Sequence, residues 1–452
     1  MRITFFNYGN FGICGNHGNF PWLSALIQFC AGVHSGSVLM TNSEDLLSGI
    51  RVIDCGTYIA GPAAATVMSD FGAEVIKIER PPHGDPYRYL SLVPGMPISD
   101  LFYCWILDAR NKKSVAIDLG NEAGREALLK LVLTADVFIT NYQPSLVSKF
   151  RLSYEDLQPL NDRLIYAHIT GYGDAGSEAE KPGYDATAYY ARTGLMNIMH
   201  NGDAEPCLSP AGFGDHPTSM TIFGGIMMAL YRRTMTGKGM KIFTSLAANG
   251  AWSNACGIQA ALVNAEFLPR TTRKAPSNPL VNHYVTRDQK RFLTCLLDPK
   301  KDWCNLCNAL GRPELVDDPR FLTPELRRSN SAGLVAIIDD IVGARDMAEW
   351  VEIFRQNDVI WAPVLSTAEA SRDQQMAANE VFAEITPGLR TVNNPLNFTG
   401  VKKVQPSLAP QIGEHTVEIL QSIGYSTEAI NDLMERGVAM ASTPATVAKA
   451  GT

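Results

Sequence analysis

The sequence predicts an α/β protein: a large domain built on a doubly wound, mostly parallel sheet, with a smaller α+β domain beside it. Three observations predict this. Strand-like and helix-like stretches alternate from residue 50 to 173, glycines and polar residues punctuate the strand ends, and a basic, proline-containing segment, PRTTRKAPSNP, marks a boundary near 270. Strands alternating with helices of this length imply a parallel sheet covered on both faces.

Ile50 to Asp54 reads as a short buried strand. Gly61-Pro62 opens a helical stretch, AAATVMSDFG, with Gly72 as a C-terminal cap, and Ala73 to Ile78 is the second strand. Together they make a βαβ unit. The pattern recurs in SVAIDL, a helix from Glu122 to Leu133, the strand DVFITN, and LIYAHITGYG, which ends in glycines. This sheet is Rossmann-like in kind. Helices are expected over Met220–Thr234 and Leu246–Ala265. Residues 270–345 read as the small domain, opening with the hairpin NHYVTRDQKRFLTCLL and its turn near Asp288-Gln289, followed by a helix from Lys301 to Leu310. A helix over 347–357 leads back through VIWAPVLS. Residues 360–440 complete the large domain begun at 46–265, and end in helices around VEILQSIG and EAINDLMERG.

The chain has 452 residues, 46% of them hydrophobic and 19% charged, which excludes a disordered or collagen-like chain. Its net charge of −7 argues against a broad nucleic-acid-binding face, while leaving room for a local basic pocket for a small anion. Nine scattered cysteines give no disulfide framework and read as reduced thiols of a cytoplasmic protein. The close pair Cys304 and Cys307 lacks a second CxxC or a His pair, so it reads as part of a core helix. The eight histidines are dispersed, and no metal site is expected. No apolar run reaches the length of a membrane span: Trp22 to Val33 is interrupted by Ser24 and Gln28. Residues 1–45 hold few charges and many Gly, Asn and Phe. A secretory signal is conceivable, but the start is weakly basic and no A-x-A site follows cleanly, and a transit peptide would carry more Arg; the preferred reading is a disordered or non-native extension. Residues 441–452 read as a loose tail.

No phosphate-binding loop, HExxH or GxSxG is present, and no GxGxxG follows the first strand, so a dinucleotide site is unsupported. What stands out is the polar punctuation at strand ends: Gly61-Pro62, Glu79-Arg80, Asn141-Tyr142, Gly171-Tyr172-Gly173 and Gly214-Asp215-His216. In doubly wound folds ligands bind at the carboxyl ends of strands. Asp215 precedes a long apolar helix. By pattern alone it is either an N-cap carboxylate, worth about 1 kcal/mol, or a functional acid.

The segment RVIDCGTYIAGPAAATVMSDFGAEVIKIERPPHGDPYR resembles the opening of the class III CoA-transferases, the carnitine/bile-acid CoA-transferase family. The resemblance continues through NKKSVAIDL, ADVFITNYQP, ITGYGDAGSEAEKPGYDATAYYARTGLM, GFGDHPTSM, TGKGMKI and GEHTVEILQSIGY, spanning about residues 46–440. GFGDHPTSM and PGYDATAYYAR look most like the cinnamoyl-CoA:phenyllactate CoA-transferase branch. The resemblance implies movement of coenzyme A from an acyl-CoA donor to a free carboxylic acid, with no permanently bound cofactor. It makes Asp215 the nucleophile, through an aspartyl-CoA thioester. It implies CoA contacts at Ile59 and Ala60 beside the pantetheine, Arg80 near the phosphates, and Ile117, Asp118, Leu119 and Gly120 on the adenine side. Asn141, Tyr142 and Gln143 fall in the next strand-end loop. Lys149 stands where relatives often carry Arg, and Tyr184 and Asp185 line the pantetheine channel. Arg80 and Lys149 read equally as solvated surface charge, and Asp185 as a turn residue. The resemblance also implies an interlocked homodimer. One departure is that residues 271–282, TTRKAPSNPLVN, carry no glycine-rich loop of the kind that closes over the nucleophile in some relatives.

Two rivals remain at this level. The α-methylacyl-CoA racemase branch of the superfamily carries His before the Asp of a G-H-D segment, where this chain has Tyr184 in PGYDATA. A CoA-binding subunit without catalysis has no need of the acid at 215.

Overall fold

A computed structural model describes residues 45–202 and 204–442. The 1–45 extension (Asp45 apart) and most of the 441–452 tail lie outside the described residues. The large sheet contains β1 (Arg51–Asp54), β2 (Glu74–Glu79), β3 (Lys112–Ile117), β4 (Val137–Thr140), β5 (Ile165–Thr170) and β6 (Met240–Ser245) in the order β3-β2-β1-β4-β5-β6, all parallel. The two-residue strand Ala439–Met440 pairs antiparallel with β3 and closes that edge.

Alternate residues of each strand enter different cores, which explains why the strands read as nearly unbroken apolar runs. Val52, Val75, Val137, Ile139, Ile165 and Ala167 face one side, packed under α1 (Ala60–Ser69) and a long helix described below. Ile53, Ile76, Phe138 and Tyr166 face the other, under α2 (Glu122–Val132) and the C-terminal helices Thr416–Ser422 and Thr427–Glu435. The result is a mixed α/β protein with a large, parallel-dominated sheet.

The expected helix over 220–234 is longer: α3 spans Asp215–Thr236 and ends at Gly237, whose φ of 72° suits glycine. The expected single helix over 246–265 is two, α4 (Leu246–Ser253) and α5 (Ala255–Leu262). Asn254 breaks them apart: its backbone leaves the helical region at φ −98°, ψ 23°, and its amide donates to the Thr193 carbonyl at 2.9 Å.

A separate core, with Tyr284, Phe292, Trp303, Trp350 and Phe354, lies under a three-stranded antiparallel sheet. Its first two strands, Val281–Val285 and Arg291–Cys295, form the expected hairpin, with Gln289 in the left-handed region of the turn. The third, Trp361–Pro363, pairs with Arg291–Cys295 and so keeps the start of VIWAPVLS with this sheet. Cys307 is buried in the same core, on the helix Lys301–Ala309. A small hairpin, Phe382–Thr386 with Leu389–Val392, has no counterpart in the sequence reading. Buried polar contacts tie the returning chain to the large sheet. Arg88 and the Trp105 indole donate to the Pro410 carbonyl, and Asn394 donates to Asp70, which also holds Arg110 through both its oxygens.

Candidate active site at the switch point

The strand order reverses at β1, whose neighbours lead the chain away in opposite directions. Ligand crevices of doubly wound sheets open at this point, beyond the strand carboxyl ends. Here β1 runs into residues 55–59. Asn141, just past β4, binds this loop from both sides: its side-chain oxygen accepts from Thr57 N at 2.8 Å and its amide donates to Thr57 O at 2.7 Å. Gly56 lies against the same side chain, where an added Cβ would meet Asn141 Oδ1 at 3.1 Å.

Beneath the loop lies a buried charge network. Lys77 Nζ donates to Gly56 O at 2.5 Å and pairs with Asp85 at 2.8 Å and Asp54 at 3.5 Å. Lys112 Nζ pairs with Asp54 at 2.9 Å and donates to Pro62 O at 2.6 Å. Asp85 Oδ1 accepts from Tyr58 N at 3.1 Å and Tyr87 N at 2.9 Å. Tyr58 takes a φ of 60°, a conformation costly for a non-glycine residue. The network holds it there, edge-on to Tyr184 with ring centroids 5.4 Å apart.

The start of α3 meets this loop. Gly214 N donates to Asp185 Oδ2 at 3.2 Å, and Asp185 Oδ1 accepts from Ala186 N at 2.7 Å. Asp185 opens a π-helical turn, Asp185–Ala191, whose Tyr189 ring packs against Gly214. Asp215 is the first helical residue, and its side chain makes no capping hydrogen bond. The N-cap reading is therefore corrected: the chain enters the helix through Gly214, leaving the carboxylate uncommitted at the positive end of the helix. Burial pushes the Asp215 carboxyl up to about 7; Asp185 and Asp108 act in the same sense and His216 against them. The His216 ring joins Nδ1 to Gly212 O at 3.2 Å and Nε2 to both oxygens of Asp108 at 3.3 Å. Burial opposes the imidazolium, but Asp108 overcomes it and lifts the ring to about 9. Asp108 also accepts the Tyr87 hydroxyl at 2.6 Å.

The expected residues thus fall into groups. Asp215, Asp185, Tyr184 and Ile59 are drawn together: Gly214 N meets Asp185, Tyr184 lies against Tyr58, and the Ile59 side chain comes within 3.4 Å of where a Cβ on Gly212 would stand, while Ala60 opens α1 behind Ile59. Arg80 lies exposed just past β2. Asn141 is engaged with Thr57 and orders the loop. Tyr142 is turned inward, its hydroxyl held well above its usual range by burial and then by Cys55. Gln143 reaches outward to the Glu180 carbonyl at 3.2 Å, and Lys149 is exposed on the helix Pro144–Phe150. Ile117 to Gly120 sit at the end of β3, two strands from β1, where Ile117 pairs with Ala439 and Gly120 N donates to Asp118 at 2.9 Å. Sequence reasoning missed Asp108, Tyr87, Lys77 and Lys112, and it passed over His216 although it stands beside Asp215. Among the described residues no His, Cys, Asp and Glu side chains cluster as a metal site would require, and no helix is long and apolar enough to cross a membrane.

The fold and the site together are those of a doubly wound α/β protein with a carboxylate, Asp215, at the start of a long helix entered through Gly214. Residues 47–416 match the family model of CoA-transferase family III, and the chain belongs to that family. It is 32% identical over 403 residues to (R)-2-hydroxy-4-methylpentanoate CoA-transferase of Clostridioides difficile, covering 87% of this chain and 99% of the relative. It is 32% identical over 402 residues to cinnamoyl-CoA:phenyllactate CoA-transferase of Clostridium sporogenes, covering 87% and 97%. Among solved structures, a CAIB/BAIF family protein from Brucella suis superposes with a TM-score of 0.74 at 27% identity, covering 84% of this chain and all of the other. The chain is a CoA-transferase, an enzyme that moves coenzyme A between acids.

Proposed function

We propose that Asp215 is the nucleophile. Its carboxylate attacks the thioester carbonyl of an acyl-CoA; the C–S bond breaks and the CoA thiolate leaves behind a mixed anhydride. The thiolate then attacks the Asp215 carbonyl carbon, releasing the donor carboxylate and leaving an aspartyl-CoA thioester. An acceptor carboxylate attacks that thioester, expelling thiolate again, and the thiolate attacks the acceptor's acyl carbon to give the new acyl-CoA and free Asp215. The thioester energy passes from acid to acid, so no nucleotide is consumed. The observation that carries this reading is Asp215 itself: the first residue of a long helix, partly buried, with no capping partner.

Ile59, Ala60 and Tyr184 form the pantetheine wall in this reading, with Asp185 bracing the nucleophile's turn. Arg80 and Lys149 meet phosphates, Ile117 to Gly120 face the adenine, and Asn141 to Gln143 shape the mouth. Lys149 offers a point charge without the bidentate fork of Arg. Residues 46–265 and the chain from past Pro363 to 440 form the coenzyme-binding domain; 270–345, with the strand Trp361–Pro363 that pairs with Arg291–Cys295, form the smaller one. The working unit is a homodimer: among the described residues β6 is an outer strand of the sheet, and Met228, Tyr231, Phe243, Trp252 and Leu262 are exposed apolar side chains of β6 and the helices either side of it in sequence. Seven free cysteines among the described residues suit a reducing cytoplasm. The acids named in the relatives, aryl or branched 2-hydroxy acids, are the first substrates to test.

The deciding experiment incubates purified protein with a panel of acyl-CoA donors, including cinnamoyl-CoA, and free acids, including phenyllactate, then quenches with hydroxylamine. Mass spectrometry is expected to find a hydroxamate at Asp215, and Asp215→Ala is expected to lose transfer by at least three orders of magnitude. Undiminished transfer by Asp215→Ala would refute the mechanism.

A further inference from the structure

The ring of His216 has two nitrogens and two neighbours that can only accept. Nδ1 lies 3.2 Å from the Gly212 carbonyl oxygen and Nε2 lies 3.3 Å from both oxygens of Asp108. A neutral imidazole carries one N–H and can serve one of these partners; serving both takes the doubly protonated ring. Asp108 is itself fixed as an anion. It is 5% exposed, and although burial opposes ionisation, His216 first, then the Tyr87 hydroxyl at 2.6 Å and Lys112, hold its carboxyl below the usual range. We propose that His216 is a positioning residue of the transfer reaction: an imidazolium locked between Gly212 and Asp108, whose charge keeps Asp215 ionised and able to attack.

The need for such a charge follows from what else faces Asp215. Asp185 approaches from the π-helical turn, Asp108 from the helix Tyr103–Ala109, and Tyr87 from the 3-10 turn Pro86–Leu92. Two of these are carboxylates, and burial adds to their effect; only His216 opposes them among the groups that act on Asp215. A protonated acid is not a nucleophile. A neighbouring opposite charge moves a carboxyl pKa by about 1 unit or more. With the imidazolium the Asp215 carboxyl titrates at about 7 and is about half ionised at neutral pH; without it the balance moves further toward the protonated form. This role rests on the reading of Asp215 as nucleophile.

The test is the pH profile of kcat/KM for His216→Gln, using the acyl-CoA of the panel that turns over fastest. The acid limb is expected to move upward by about one pH unit, with a loss of roughly eightfold at pH 6.5 that shrinks below about twofold by pH 8.5. A uniform loss at every pH, or an unmoved limb, would overturn the inference and leave His216 a packing residue. Should the variant not fold, the 15N spectrum of histidine-labelled wild-type protein decides: one ring still doubly protonated at pH 8 supports the lock, and eight neutral rings refute it. Hydroxylamine trapping on wild type separates the two ideas. No hydroxamate at Asp215 removes the underlying mechanism, whereas a hydroxamate with an unmoved acid limb removes only the role of His216.

Discussion

Replacing Gly214 by Ala tests whether the helix entry aims the nucleophile. The backbone there is ordinary, with φ −98° and ψ −26°, so alanine brings no conformational strain. What it brings is a methyl group 2.7 Å from both Cβ and Cδ1 of Tyr189, and nearer still to Cγ. The ring has nowhere to go: it is 3% exposed, and its hydroxyl is 2.6 Å from Ser253 Oγ. The helix start is tethered too, through Gly214 N to Asp185 and the Thr218 hydroxyl to Gly214 O at 2.8 Å. Relief therefore needs a relative shift of about 1 Å between α3 and the π-helical turn, a misplacement able to cost ~10²-fold in rate. Over-packing of this sort also destabilises by about 1–3 kcal/mol. Steady-state transfer kinetics and thermal unfolding are the assays, with Gly224→Ala as the control. An added Cβ at Gly224, on the same helix, meets nothing within 4 Å, so that variant should keep its rate. Wild-type kcat and melting temperature for Gly214→Ala would refute the claim that this contact positions Asp215.

Two further predictions concern stability. Lys77→Met leaves Asp85 without its buried partner and releases the Gly56 carbonyl; a loss of about 3–5 kcal/mol is expected in urea denaturation, with a raised KM for acyl-CoA because the 56–58 loop loosens. An unchanged midpoint would show that the network is dispensable. The Asp215 carboxyl has its folded pKa near 7, above the ordinary 3.8, so the folded state is penalised wherever the group ionises. Stability therefore falls as pH rises from about 4 to about 7 and is flat beyond. Asp215→Asn should abolish transfer yet raise stability at pH 8 by on the order of 2 kcal/mol, discounted for the residue's partial exposure, and by little at pH 4. Equal effects at both pH values would show that the acid is not held at a cost.

The parts of this molecule legible in the sequence are those whose signal is local. Strands buried on both faces, such as RVID and VFIT, announce themselves as apolar runs, and glycine marks the turns after them. The apolar stretch Met220–Thr234 of the 22-residue helix beginning at Asp215 was visible for the same reason. The charge network was not. In EVIKIE and KKSVAI, Lys77 and Lys112 look like solvent-facing positions, yet they are fully or nearly buried because Asp54, Asp85 and the loop carbonyls lie above them. Those partners come from other strands and turns, and no spacing rule relates them. His216 and Asp108 are 108 residues apart, so nothing in GFGDHPTSM could say which carboxylate the ring meets. The helix break at Asn254 depends on a carbonyl contributed by Thr193, and the closing strand at 439–440 is too short to carry any periodicity.

Asp185 shows how the same geometry separates transfer from racemisation. Exchange at an α-carbon needs two acid/base groups flanking it, and beside Asp215 the obvious second carboxylate is Asp185. Its oxygens are already used: Oδ1 accepts from Ala186 N and Oδ2 from Gly214 N, both main-chain donors that hold it in place. Protonating it would break at least one of these bonds, so it serves to fix the entrance to α3. The side chain before it, Tyr184, is 58% exposed and lies against Tyr58, with no imidazole to shuttle a proton. Among the described residues the imidazole acting on Asp215 is His216, whose two ring nitrogens face the Gly212 carbonyl and Asp108. A site with one uncommitted carboxylate and no free base suits acyl capture, for which an anion alone suffices. Deuterium uptake at the α-carbon of an acyl-CoA in D2O should accordingly stay at the uncatalysed rate while coenzyme A exchanges between acids. Uptake that kept pace with transfer would show that one of these committed groups does move a proton.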